Sequence, residues 1–130
     1  MQLDDNIRWM VTDPLGKKIS LYENQFIRHI IGDHKEKDAN KRAVIENQAK
    51  YSIIAPRFVI ADRKYAGNRK YLDLVDVPEE EESKIRTLTV VVSENDEVIT
   101  WIPKRSINEG FIKGEEIYDA RMVAQARLQV

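Results

Sequence analysis

Residues 85–102 read IRTLTVVVSENDEVITWI, and this stretch limits the fold more than any other. Ile85 to Ser93 is a β-branched run that packs best on a pleated surface. Glu94-Asn95-Asp96 is turn chemistry, and Glu97 to Ile102 is a second short strand. Pro103 is expected to close it, because proline offers no donor to a ladder. Two strands joined by so short a turn run antiparallel. An antiparallel sheet is therefore fixed, and the rest of the chain must lie on it or extend it.

The period of two reaches back to Arg57. Phe58-Val59-Ile60-Ala61 reads as a strand, Arg63 to Arg69 with Gly67-Asn68 as a basic turn, and Tyr71, Leu72, Leu74, Val75 and Val77 as the next strand. Pro78 and the like charges Glu79 to Glu82 read as a solvated loop. Before Pro56 the period is helical. Tyr22, Phe26, Ile27, Ile30 and Ile31 form one stripe, with Gly32 as its stop. Asp38 or Asn40 is placed to cap a second helix running to about Tyr51, with Ala43, Val44 and Ile45 partly inward. At the start, Ile7 to Val11 and Lys17 to Leu21 flank Asp13-Pro14-Leu15-Gly16, a hairpin pattern. At the end, Glu115 to Leu128 reads as a C-terminal helix with Ile117, Met122, Val123 and Ala126 as its apolar positions. Hairpin, helices, antiparallel strands and a last helix make an α+β chain.

A length of 130 residues suits one domain, 1–130, and 42% hydrophobic with 33% charged residues is globular rather than disordered. No apolar run approaches the ~18 residues that span a bilayer, and the acidic opening MQLDDNIRWM holds no secretory core. Cysteine is absent, which removes disulfides and thiolate chemistry and fits a reducing, cytoplasmic setting in a host or target cell. His29 and His34 stand five apart, without the i, i+4 spacing of a helical zinc pair, so no metal is expected. Phosphate-cradling glycine loops and the GxSxG elbow are missing, so no cofactor is expected. From Lys17 to Lys70 there are 13 basic against 6 acidic residues, and 8 against 16 elsewhere. A basic middle suits a polyanion such as RNA, and it also describes ordinary solvated helix faces.

What this inventory leaves is metal-free acid–base work on a phosphodiester. A base must take the ribose 2′-OH proton, an acid must serve the leaving oxygen, and fixed cations must hold the phosphorane charge. His29 and His34 suit the first two roles; Arg57, Arg63, Lys64, Arg69 and Lys70 suit the third. Tyr65 and Tyr71 suit stacking or phosphate contact, and the Thr100 hydroxyl suits phosphate. Each has a plainer reading as well. Both histidines fit a solvated helix face, Thr100 a β-former, the basic turn a soluble hairpin tip, and Trp9 and Trp101 the core.

Four blocks resemble the phage-associated ribonuclease-like domains of the barnase–EndoU–colicin–RelE superfamily, found in phage proteins and polymorphic toxins. Asp13 to Leu21 is similar to that family's opening D-x-x-G turn and strand. Phe26-Ile27-Arg28-His29-Ile30 with His34 is similar to its W-x-x-H-I…H helix, with Phe26 in the tryptophan position. Ile45 to Asp62, containing Ala55-Pro56-Arg57-Phe58-Val59-Ile60, is similar to its I…P-x-x-I passage into the sheet. Thr89 to Val92, then Val98-Ile99-Thr100-Trp101, is similar to its V-V-V…V-x-T-A-Y hairpin, with Trp101-Ile102 replacing smaller residues. The similarity spans about residues 8–105; residues 106–130 are an extension without a counterpart.

The resemblance implies an N-terminal hairpin and two helices before a four-stranded antiparallel sheet, with the active face on that sheet. It implies His29, a basic residue of the middle strands and Thr100 as active positions. The expected function is a metal-independent endoribonuclease of phage or bacterial toxin type, a hydrolase cutting by 2′-OH transphosphorylation. His29 and His34 would be acid and base, Arg57, Tyr71 and Thr100 would orient the phosphate, and Arg63, Lys64, Arg69 and Lys70 would bind RNA. An immunity protein or antitoxin is the partner such a toxin implies. The alternatives are a catalytically inactive phage-encoded binder or inhibitor of a host protein on the same scaffold, and a structural phage protein.

Overall fold

The computed structural model describes residues 6–32, 35–79, 82–104 and 116–121. Strands β1 (Ile7–Thr12) and β2 (Lys18–Tyr22) form the expected opening hairpin. Its turn is held by Asp13, whose Oδ1 accepts the Leu15 and Lys17 N–H groups at 2.9 and 2.8 Å. A π-helix follows at Gln25–Ile31, then α1 (Glu36–Val44) and α2 (Glu46–Ile54). The sheet comprises β3 (Phe58–Ala61), β4 (Arg69–Glu79), β5 (Glu82–Val92), β6 (Val98–Lys104) and β7 (Glu116–Asp119). Its order is β6-β5-β4-β3-β7, with every neighbouring pair antiparallel.

The sheet therefore has five strands rather than the four expected, and the fold class needs correction on that point. Glu116 to Asp119, expected to open a C-terminal helix, instead pairs with β3 as an edge strand. Ile117 is 40% exposed and Tyr118 partly buried, which is what an edge strand does with a loosely periodic segment. Residues 115 and 122–128 of the expected helix lie outside the described residues. Pro78 and Glu79 are not loop either: they pair with Ser83 and Glu82, extending the β4–β5 hairpin. Pro103 likewise sits inside β6, opposite Leu88. β6 is an edge strand, and the Ile99 and Trp101 carbonyls, at the same parity as Pro103, point away from β5. Pro103 thus lacks a donor only where no neighbouring strand asks for one.

The helical layer also differs. The first helix begins after Tyr22, which belongs to β2, and its turns are widened. The Gly32 N–H donates to the Ile27 carbonyl at 2.9 Å, five residues back. A Cβ at Gly32 would lie 2.7 Å from that carbonyl oxygen, so glycine permits the wide turn to close. The second expected helix is two, broken at Ile45. Asp38 and Asn40 lie inside α1, which starts after Lys35 without a side-chain cap. Ile45 is buried as expected, while Ala43 and Val44 face out.

One row of the sheet explains the core. Val59, Tyr71, Val90 and Trp101 are register partners across β3, β4, β5 and β6, and all four are fully buried. Ile19 and Leu21 of the hairpin, Phe26 and Ile30 of the π-helix, and Ile45, Ala49 and Ile53 join the same cluster. Phe26 and Trp9 pack on Trp101, with ring centroids 5.9 and 6.5 Å away. The free edge of β6 is covered by side chains. Gln25 Nε2 donates to the Ile99 carbonyl at 2.7 Å, and Arg42 Nη1 donates to the Trp101 carbonyl at 2.7 Å and to Thr100 Oγ1 at 3.1 Å. An edge filled in this way offers fewer acceptors to a second chain.

Candidate functional site

The β3–β4 and β5–β6 turns lie at the same end of the sheet, because their strands alternate in direction. Contacts there bring the opening hairpin and the π-helix to the start of β6. The Ser20 N–H donates to the Asp96 carbonyl at 3.0 Å, and Ser20 bridges Glu97. Gln25, at the start of the π-helix, is tied to β6 through Ile99.

These ties enclose an open hollow of about 210 Å³. Its polar lining is Tyr22 from the end of β2, Asn24 just before the π-helix, Arg28 and His29 on the π-helix, and Glu97 at the start of β6; Gln25 and Val98 complete it. His29 is exposed, on the side of the π-helix away from the core residues Phe26 and Ile30. The hollow gathers an imidazole, a guanidinium, a carboxylate and a phenol. It is smaller than the roughly 300 Å³ at which drug-sized ligand pockets begin, so it suits a phosphate and its sugar.

Beside the hollow lies a buried polar chain. Tyr71 Oη donates to Asp13 Oδ2 at 2.5 Å, Arg69 Nε donates to Tyr71 Oη at 3.2 Å, and Arg69 Nη2 meets Asp96 Oδ1 at 2.5 Å. Asp13, Arg69 and Tyr71 are all buried. Burial, and then the Asp13 carboxylate that accepts its proton, push the Tyr71 phenol well above the ordinary tyrosine range, against the opposing pull of Arg69. Burial disfavours the Arg69 charge, but the hydrogen bonds to Asp96 and Tyr71 outweigh it and raise its pKa. Asp96 adopts φ of 61°, a left-handed turn position that aspartate tolerates better than most residues.

The expected site residues are thus dispersed. His29 lies in the hollow; His34 lies outside the described residues. Tyr71 and Arg69 do not face a ligand: both are enclosed in the polar chain. Thr100 accepts from Arg42 on the β6 edge. Arg57 is paired with Asp73 at 3.3 Å and stands at the start of β3, at the end of that strand away from the β3–β4 turn. Lys70 is half-buried on the sheet face opposite the Tyr71 row, in register with Val91 and Thr100. Arg63 and Lys64 are exposed on the β3–β4 turn. The residues that join His29 were not singled out by sequence. Arg28 is its neighbour in FIRHI, a visible hint, but Glu97 reads only as the start of a strand. Its approach depends on the long-range contact with Ser20.

Among the described residues no group of three or more His, Asp and Glu side chains is arranged to hold a metal, and no helix is long and apolar enough to cross a membrane. Fold and site together define an α+β protein with a five-stranded antiparallel sheet and a polar, histidine-bearing hollow at one end. Comparison with known proteins gave no match among family models, curated proteins or solved structures.

Proposed function

We propose that this chain is a metal-independent endoribonuclease, acting in the cytoplasm of a host or target cell, with its site in the His29 hollow. The observation that carries the reading is the convergence of His29, Arg28, Glu97 and Tyr22 on one open concavity. The Glu97 carboxylate accepts the proton of the ribose 2′-OH. The O2′–P bond forms, the P–O5′ bond breaks, and the His29 imidazolium gives its proton to the departing 5′ oxygen. The products are a 2′,3′-cyclic phosphate and a 5′-hydroxyl. Arg28 stands where it can carry the charge that gathers on the phosphorane oxygens, and Tyr22 and Asn24 supply hydrogen bonds to phosphate or sugar. If the chain acts as a toxin, an immunity protein or antitoxin presenting a carboxylate to Arg28 is the partner that fits this hollow.

A binding protein without catalysis is the second reading. It is favoured by the enclosure of Tyr71 and Arg69 and by the pairing of Thr100 with Arg42. The two are separated by incubating the full chain with total RNA in EDTA, beside His29→Ala. Cleavage that survives EDTA, leaves cyclic phosphate ends and falls by about 10²-fold or more in the variant is the expected result. His29 is exposed and outside the core, so the variant should fold, and a urea titration beside the activity assay checks that it does. No cleavage by the wild type at high enzyme, between acid and alkaline pH, would move the hollow to the binding reading.

A further inference from the structure

We infer that the substrate of this hollow is single-stranded RNA several nucleotides long, and that the β3–β4 turn is its second point of contact, with Tyr65 as a stacking platform; this rests on the ribonuclease reading. The turn is firmly built. Asp62 Oδ1 accepts the Lys64 and Tyr65 N–H groups at 2.8 and 3.4 Å, the Asp62 N–H donates to the Asn68 carbonyl at 2.9 Å, and the Asn68 N–H donates to the Tyr65 carbonyl at 3.2 Å. Gly67, at φ of 87°, closes it. Those bonds use backbone groups and the Asp62 carboxylate, and leave the side chains of Arg63, Lys64 and Tyr65 outside. Tyr65 is 56% exposed, and Lys64 Nζ lies 5.3 Å from its ring centroid. An exposed aromatic ring on a turn that also carries Arg63 and Lys64 suits an unpaired base and its phosphates.

The turn and the hollow are connected. A Cβ at Gly67 would lie 2.6 Å from Glu94 Oε2, so the tip abuts the β5–β6 turn, and Glu97 of that same turn lines the hollow. From β3 to β6 there are three strand spacings of ~4.8 Å, or ~14 Å. That is about four nucleotides at the ~3.4 Å stacked repeat of one strand. A dinucleotide occupies only the hollow, while an octamer reaches both. A duplex hides its base faces in its own stack and cannot use Tyr65.

The test measures binding of fluorescent 2′-O-methyl RNA, which cannot be cut because its 2′ oxygen is blocked, to the full chain by anisotropy. The probes are a dinucleotide, an octamer and an octamer duplex. Tyr65→Ala should weaken octamer binding about 5- to 150-fold, the range for losing one stacked base, and leave the dinucleotide unchanged, whereas Tyr65→Phe should restore it. Arg63→Gln with Lys64→Gln should lower the salt dependence of octamer binding by about 1.4 in log–log slope. An octamer indifferent to Tyr65→Ala, a duplex that binds as tightly as the single strand, or no binding at all would overturn the inference. Tyr65-dependent binding without cleavage of natural RNA would sink the ribonuclease reading alone. Cleavage without Tyr65 dependence would sink this inference alone.

Discussion

Replacing Tyr71 with phenylalanine removes one oxygen from the buried polar chain and little else. The ring stays between its register partners Val59 and Val90, so no cavity opens. Asp13 Oδ2 loses its donor, but Oδ1 keeps the Leu15 and Lys17 N–H groups, and Arg69 keeps Asp96. The loss is therefore two hydrogen bonds, the short one to the Asp13 carboxylate and the longer one from Arg69 Nε, and not the stripping of a whole ion pair. Bonds to charged groups contribute ~1.5–3 kcal/mol each, so the two together place the expected cost at about 3–5 kcal/mol. For 130 residues the unfolding entropy converts each kcal/mol to about 4 °C, so Tm should fall by roughly 11–18 °C.

The same variant carries a pH signature. Tyrosine in the unfolded chain ionises near ~10, while the folded chain holds the Tyr71 proton well above that. Above ~10 the folded state binds more protons than the unfolded one. The stabilisation is thus complete below ~10 and declines as pH rises, by up to about 1.4 kcal/mol per unit. Tyr71→Phe lacks that slope, so the gap between the two proteins should narrow between neutral pH and pH ~11. Urea titrations across this range measure both effects. A neutral-pH difference under about 0.5 kcal/mol, with parallel alkaline profiles, would show that the Tyr71 hydroxyl is not held by Asp13 and Arg69.

Two further substitutions probe the frame around the hollow. Arg42→Met keeps an apolar stem but uncovers the Thr100 hydroxyl and the Trp101 carbonyl on the β6 edge; a loss of about 1–3 kcal/mol and concentration-dependent association in light scattering are expected, and an equally stable monomer would contradict the edge role. Gly32→Ala sets a methyl group 2.7 Å from the Ile27 carbonyl, so the last π-turn must shift; His29 imidazole NMR resonances should move and stability should fall by about 1–3 kcal/mol, and unmoved resonances would refute the wide-turn geometry.

The strands were legible where a local pattern decides them. The β1–β2, β3–β4 and β5–β6 hairpins follow from turn chemistry and period two alone, and Trp101 from its place in an alternating strand. The sequence pattern was misleading where the environment decides. Pro78, Glu79 and Glu82 look like loop, yet a long antiparallel pairing carries them as strand. Glu116 to Asp119 has no strong period, and only the open edge of β3 makes it a strand. Helical spacing groups Phe26, Ile27, Ile30 and Ile31 as one stripe, but the widened turn turns Ile27 outward to 58% exposure. The candidate site suffered most, because it is assembled by a contact between Ser20 and Glu97 that no local pattern announces.

Tyr71 and Arg69 illustrate why chemistry-bearing residues in a sequence mislead. Tyrosine and arginine two apart on a strand share a face, and that face is the buried one. Their polar atoms must then be satisfied internally, which draws in Asp13 from the opening hairpin and Asp96 from the last turn. The β5–β6 turn is consequently gripped from three sides: by Arg69 on Asp96, by Ser20 on Asp96 and Glu97, and by the tip that carries Gly67 against Glu94. Glu97 belongs to that held turn. Its backbone is thereby held in place, which is what the proposed role of Glu97 as a base requires of the turn that carries it. The buried residues that sequence pointed to as reactive, Tyr71 and Arg69, are thus tied to Asp96, the residue before Glu97 in the lining of the hollow.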